Sequence, residues 1–474
     1  MWWWSQKLWP LACGYGDVMK PLRRSIVAMV FPVLLAAGLV GCALTPREDD
    51  APAAKLPEDL TEDVKKAVAA ALDGELEHFY QAAGFAPVWK DRREEVVAAL
   101  MTARARGLKP EDYLGGVDSA SDTVAADLAL TKGLMRYAHD VRFGRGNPGI
   151  YGKAEAAPSD EMARAIAQDA AGLEAGLRKL DPPFAEYKRL EAALTQYRQK
   201  ADSDVGASEQ VRQIELTMER WRWLPRSFDH GAIFVNIPEF HLRALDQNNN
   251  VALEMKVIVG LATNPTPLFT ANLKHLIFAP YWNVPRSILL NEILRDIRKD
   301  RSYLARNKYE VVNAERHVVS TGDVSDETLA GLKSGEFQVR QVPGPKNALG
   351  RVKFMFPNNF DVYMHDTPTR SLFEKEQRAF SHGCVRLENP QALAEWVLRE
   401  EPDWSKERIE ASLQLTRPLQ SKLKTAIPVF LLYHTVTVSD DGAVHFWKDL
   451  YKQDAALAEK LAATTAEPGP RPRE

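Results

Sequence analysis

From position 60 to about 197, apolar residues return every three or four positions, the spacing of an amphipathic helix. Thr61 stands before Val64, Val68 and Leu72 at that spacing and reads as an N-cap. A second helix is predicted around 94–106, stopped at Gly107, with Leu108 and Pro110 following. Segments 160–179 and 183–199 are rich in Ala, Leu and Glu and sparing in Gly and Pro, so they predict further helices. His78 and His139 fall singly on these stretches, where packing accounts for them. No acid pair, metal-ligand spacing or Gly-rich phosphate loop occurs here, so this part reads as scaffold.

The pattern changes after Trp223-Leu224-Pro225. Segments 232–237 and 240–244 alternate or run apolar, and the polar string Asp246-Gln247-Asn248-Asn249-Asn250 then reads as a turn. The chain resumes as strand over 251–259 and stops at Gly260. Segments 276–278, 353–356, 361–365 and 429–438 predict further strands. Residues 288–336 are charged and mainly helical in pattern, an insertion between strands placed to act as a lid.

Composition narrows this only broadly. Hydrophobic residues at 45% and charged residues at 26% are those of a globular protein, and a net charge of −3 gives no reason to expect nucleic acid. The N-terminus is more specific. Lys20, Arg23 and Arg24 precede an apolar run over 26–40 that Pro32 interrupts, too short for the ~20 residues of a bilayer span. That order reads as a secretory signal. It ends in Leu39-Val40-Gly41-Cys42, which resembles a bacterial lipobox; Cys42 would then be lipidated, and Ala43 after it implies sorting to the outer membrane. Met19, directly before the basic residues, offers an alternative start that would remove Cys13.

Only three cysteines occur in the chain, so Cys384 has no intramolecular disulfide partner once Cys42 is acylated. A lone thiol exported to an oxidising compartment points to reactivity. Cys384 lies in Ser381-His382-Gly383-Cys384-Val385-Arg386, 19 positions after His365. A thiol needs a base, and His365 and His382 are both candidates. The backbone N–H groups of Gly383 and Cys384 are candidate oxyanion donors, joined by the hydroxyl of Tyr363, which shares a strand face with His365. Arg386 offers a planar fork for a substrate carboxylate, against the plainer reading of a surface ion pair. Zinc on His365, His382 and Cys384 would satisfy a three-ligand count, but no CxxC or HExxH pair supports it.

The strings Tyr363-Met364-His365-Asp366 and Ser381-His382-Gly383-Cys384-Val385-Arg386 resemble the signature of the YkuD-type L,D-transpeptidases. The closer likeness is to large Gram-negative members with a helical scaffold domain. It is carried by Met218-Glu219-Arg220-Trp221-Arg222-Trp223-Leu224-Pro225, Ala279-Pro280-Tyr281-Trp282-Asn283-Val284-Pro285 and Pro343-Gly344-Pro345-Lys346-Asn347-Ala348-Leu349-Gly350. Residues 150–210 lack the Asp-Gly, Gly and Leu-Asn pattern of the peptidoglycan-binding module usual in such relatives.

The resemblance implies an α+β protein, with an all-α scaffold followed by a mostly β catalytic domain under a helical lid. The expected organisation is a signal over 1–41, a tether over 42–56, a scaffold over 57–205 and a catalytic domain over 206–440 with its lid at about 286–345. A return segment over 441–454 and a disordered tail over 455–474 would follow. The implied activity is cross-linking of peptidoglycan stem peptides through a Cys384 thioester that releases D-alanine. No cofactor is implied. His365 is implied as base, oriented by the backbone carbonyl after it. His382 would polarise the site or brace the turn, Ser381 would serve the turn or the substrate, and Trp282 and Asn283 would line the pocket. If water resolves the thioester, the enzyme is an L,D-carboxypeptidase. If a protein lysine does, an outer-membrane protein becomes a partner. A non-catalytic lipoprotein tethering membrane to wall is the third reading. The expected location is the periplasm, lipid-anchored to the outer membrane.

Overall fold

A computed structural model describes residues 61–71, 73–115, 123–152 and 158–465. The signal, Cys42, the tether and residues 466–474 lie outside these.

The first part is helical: α1 (Thr61–Ala71), α2 (Gly74–Ala82), α3 (Arg93–Met101), α4 (Glu111–Leu114), α5 (Thr123–Phe143), α6 (Ser159–Ala167) and α7 (Leu173–Arg178). The predicted helix at 94–106 forms as α3 with a tighter 3₁₀ turn after it, and Gly107 ends it at φ 71°, where a side chain would be strained. The predicted helix at 160–179 is two helices, separated at Gly172. Val68, Phe79, Trp89, Leu100, Leu134 and Tyr137 are among the residues that close this core.

Helices α8 (Ala185–Ala201) and α9 (Val205–Arg222) follow. Asp204 caps α9 by accepting the Gly206 N–H, and it sits at the expected scaffold–catalytic boundary. Tyr187, Leu190, Ile214, Met218 and Trp221 from these helices share one apolar cluster with Phe234, Phe430 and Val436 from the strands. The two parts are thus joined through packed side chains.

The strands are β1 (Ala232–Asn236), β2 (His241–Leu245), β3 (Val251–Gly260) and β4 (Thr270–Phe278), then β5 (Trp282–Asn283), β6 (Tyr309–Val312), β7 (Val318–Ser320) and β8 (Gln338–Gln341). After these come β9 (Val352–Met355), β10 (Met364–His365), β11 (Ala379–Ser381), β12 (Val385–Leu387), β13 (Leu419–Leu432), β14 (Val436–Val438) and β15 (Val444–Phe446). One sheet runs β11-β3-β12-β10-β9-β4-β13-β1-β2, and β2 pairs back onto β3, so it closes on itself. Closure pairs both sides of the strands from β3 round to β2, with β11 added outside the ring on β3, and encloses Val257, Leu276, Phe354, Met364, Val385 and Val429.

Three expectations are corrected and a fourth is extended. The insertion is mainly helical over 288–336, as expected, but it also contributes β6 and β7 to a four-stranded sheet, β5-β8-β6-β7, that the pattern did not predict, and it has a core of its own with Leu289, Ile297, Val311 and Leu332. Its charged residues masked short strands whose inward positions are apolar. Of the segment 361–365, only Met364 and His365 are strand, because Asp361 takes φ 55°. The strand predicted at 429–438 begins at Leu419 and breaks before β14, which pairs with β15. Residues 455–465 are not disordered; they belong to the helix Gln453–Thr465, held by an Arg220–Asp454 ion pair and by buried Leu457.

Candidate active site

Strand β10 lies between β9 and β12, antiparallel to the first and parallel to the second. The register places His365 beside Lys353 on one side and Arg386 on the other. One residue earlier than β10, the Tyr363 carbonyl accepts the Val385 N–H at 3.1 Å. The two halves of the sequence motif are therefore brought together by adjacent strands.

The turn from β11 to β12 presents Cys384. Ser381 is 2% exposed and donates its hydroxyl to the Cys384 carbonyl at 2.5 Å, while accepting the Gly383 N–H at 3.1 Å. Gly383 takes φ 116°, which any side chain would strain. Its carbonyl accepts the Thr266 hydroxyl at 2.8 Å. Tyr451 braces the same loop, donating to the Gly260 carbonyl at 2.6 Å and accepting the Thr266 N–H at 3.2 Å.

Cys384 is half-buried, with Sγ 3.8 Å from the Asp361 carbonyl oxygen. Burial pushes its thiol up from the ordinary range, against the pull of Tyr363, Arg386 and Lys353. The resting group is a neutral thiol that needs a base. Burial, Arg386 and Lys353 push His365 down to about 3, so the imidazole is neutral. Its Nδ1 donates to the Asp366 carbonyl at 2.5 Å, which leaves Nε2 as the acceptor. Tyr363 keeps its proton, because burial and Cys384 raise its hydroxyl well above the ordinary range. A neutral base, a protonated phenol and a buried thiol are the parts of acyl transfer to sulfur.

Several expected roles move. The Gly383 N–H is committed to Ser381, so only the Cys384 N–H remains for an oxyanion; it has no hydrogen-bond partner among the described residues. Ser381 is sealed into the turn and does not reach a substrate. His382 is exposed, and its Nε2 pairs with Glu292 of the insertion at 2.7 Å. Trp282 and Asn283 form β5 in the insertion, where Trp282 packs on that core near Tyr309 and Asn283 is exposed. Arg386 makes no ion pair among the described residues; burial lowers it and Cys384 draws it back up.

Sequence reasoning missed Lys353 and Glu292. Lys353 holds its Nζ 5.4 Å from the centre of the Tyr363 ring and is lowered by burial. The available signal was a lone cation inside the apolar run Val352-Lys353-Phe354-Met355. Glu292 sits on a π-helical turn, Leu289–Ile293, a distortion that recurs at functional sites. Its pairing across the fold left no local trace.

Comparisons with known proteins agree with this geometry. Residues 230–417 match the family described as an L,D-transpeptidase catalytic domain (YkuD), and residues 74–194 match a Scaffold domain. The chain is similar to a Haemophilus influenzae (strain Rd) protein named "Putative L,D-transpeptidase", 30% identical over 247 residues. That match covers 52% of this chain and 49% of the relative, so the chain spans about half the length of the curated relative it matches. A solved structure titled as the Ldtfm–avibactam carbamoyl enzyme covers 44% of this chain and 51% of its own, at 12% identity and a TM-score of 0.21, too low to build on.

Proposed function

We propose that this chain, which carries a YkuD-type L,D-transpeptidase catalytic domain and a Scaffold domain, cross-links peptidoglycan stem peptides through Cys384. His365 Nε2 takes the thiol proton as Sγ attacks the carbonyl of a stem-peptide bond to D-alanine. The tetrahedral oxyanion is met by the Cys384 N–H and the Tyr363 hydroxyl. Collapse forms the thioester, and the imidazolium returns its proton to departing D-alanine. An amine from a second stem then attacks the thioester, losing its proton through His365 and restoring the thiol. Lys353 and Arg386, cations without carboxylate partners among the described residues, draw the substrate's carboxylates to the sulfur.

The observation that carries this reading is the His365 arrangement: Nδ1 tied to a backbone carbonyl, neutral by burial, on the strand beside the cysteine. The test is intact-mass analysis of the protein mixed with a stem tetrapeptide. A Cys384-linked tripeptide acyl adduct with free D-alanine is expected, converting to a cross-linked dimer when acceptor peptide is added. Tripeptide alone makes the protein a carboxypeptidase. No adduct and no D-alanine overturns both.

The proposal extends to place. Leu39-Val40-Gly41-Cys42 supports lipid anchoring at Cys42 on the periplasmic side of the outer membrane. Radiolabelled palmitate should be incorporated by the wild type and lost in Cys42→Ser; equal labelling of both sinks the anchor.

A further inference from the structure

A second site is present where the helices meet the closed sheet. Between α8, β1, β2 and the β14–β15 hairpin lies a cavity of about 850 Å³, and none of the thiol-site residues lines it. That volume is typical of small-molecule sites, ~300–1,000 Å³. Aromatic surface comes from Phe184, Trp221, Phe234 and Trp447.

The polar part of the wall is unfinished. Glu186 Oε1, Trp221 Nε1, His434 Nε2 and Asn249 Oδ1 are buried without a hydrogen-bond partner among the described residues. Trp221 and His434 are 4% and 3% exposed, so their ring nitrogens are cut off from bulk water. Buried polar atoms are rarely left unpaired, and four around one cavity are a set of donors and acceptors for something that enters it. By contrast, both arginines of the wall are paired: Arg243 with Glu239 at 2.6 Å, and Arg189 with Asp440 at 2.8 Å. Among the described residues, no arginine or lysine of this wall is left free to hold a phosphate. Burial also pushes Glu186 up to about 7 and His434 well below the imidazole range, which favours their neutral forms. A ligand that suits this wall is uncharged, offers both hydroxyl donors and acceptors, and has apolar faces to lie against indole.

We propose that this cleft binds a carbohydrate chain, and specifically the N-acetylated glycan of the cell wall. The choice of wall glycan rests on the function proposed above; the carbohydrate chemistry does not.

Titration calorimetry on the full chain, with a tetramer of N-acetylglucosamine and with cellotetraose, tests it. Saturable binding of the N-acetylated tetramer is expected, weakened about tenfold or more by Trp447→Ala, which removes the half-buried indole. Because Trp447→Ala touches packing, Ala252→Trp serves as a second variant: Ala252 is exposed on the cavity wall, and an indole there blocks the cleft without emptying a core. Both variants should keep the thermal midpoint of the wild type. Equal binding of cellotetraose overturns the wall-glycan assignment. No saturable binding of either sugar up to about 10 mM, or binding that Ala252→Trp leaves unchanged, overturns the site. Cys384→Ala should bind the tetramer as the wild type does, so failure of the thiol chemistry and failure of this site are read separately.

Discussion

Buried cations occur in two regions, and they are treated in opposite ways. In the helical part Arg106, fully buried, meets Asp181 at 2.8 Å and Glu174 at 3.3 Å, and Arg222 meets Glu219 at 3.1 Å. Arg226 is an exception: without a carboxylate, its Nη2 donates to the carbonyls of Val141, Arg142 and Leu180, while its Nε and Nη1 are buried with no partner among the described residues. Beside Cys384, Lys353 and Arg386 have no such partner among the described residues. Desolvating a charge is costly unless a partner offsets it. At Arg106 and Arg222 the helical region offsets that cost with carboxylates inside the fold. The strands beside Cys384 leave it open, which keeps positive potential available to a carboxylate that enters.

The largest break in this comparison is at the nucleophile. Cys384→Ala should lower acylation by about 10⁴-fold or more, read as D-alanine release, while the urea midpoint stays near wild type. Next comes the paired region. Arg222→Ala strands the Glu219 carboxylate and should destabilise the fold by about 3–5 kcal/mol in urea unfolding. The unpaired cations should do the reverse. Lys353→Met or Arg386→Gln is expected to raise KM about 10- to 100-fold with the thermal midpoint unchanged or higher, since a poorly solvated charge is removed. A midpoint that falls as far as that of Arg222→Ala would erase the distinction between the regions.

The pH dependence sharpens it further. Unfolded histidine titrates near ~6.5, whereas folded His365 is held down to about 3. Between those values the unfolded chain carries the extra proton, so stability rises with pH and is lost as pH falls below about 6.5. His365→Gln should remove up to about 1.4 kcal/mol per pH unit from that slope, measured by urea unfolding from pH 4 to 7. Activity of the wild type should show no acid limb near 6.5 arising from this base. The smallest effect belongs to the contact between insertion and turn. Glu292→Gln, which weakens the pair with His382, should change kcat about two- to fivefold; an unchanged kcat would make the contact incidental.

Much of the site was legible because its chemistry is local in sequence. The pairing of His365 with the Ser381–Cys384 turn, and the orientation of the ring by the carbonyl of Asp366, were expected from the motif and found as geometry. Gly383 and Ser381 were assigned too much: residue type offers a donor, but only the folded turn shows that the Gly383 N–H and the Ser381 hydroxyl already satisfy each other. Trp282 and Asn283 were placed by likeness in the pocket and lie in the small sheet of the insertion, because β8 pairs with β5. Lys353 showed only as a lone cation in an apolar run, its place beside His365 being set by strand register, and Glu292 left no trace, since its contact spans 90 residues.

By itself, the sequence determined the helical first part, the β-rich second part and which residues are candidates for nucleophile and base. Those follow from period, composition and two short strings, all set by neighbours along the chain. The tertiary structure alone decided which cations stand unpaired at the thiol, that the sheet closes on β3, and that a cavity with unsatisfied donors and acceptors lies against α8. Burial and partnership depend on residues far apart in sequence, and no local pattern encodes which charges will find each other.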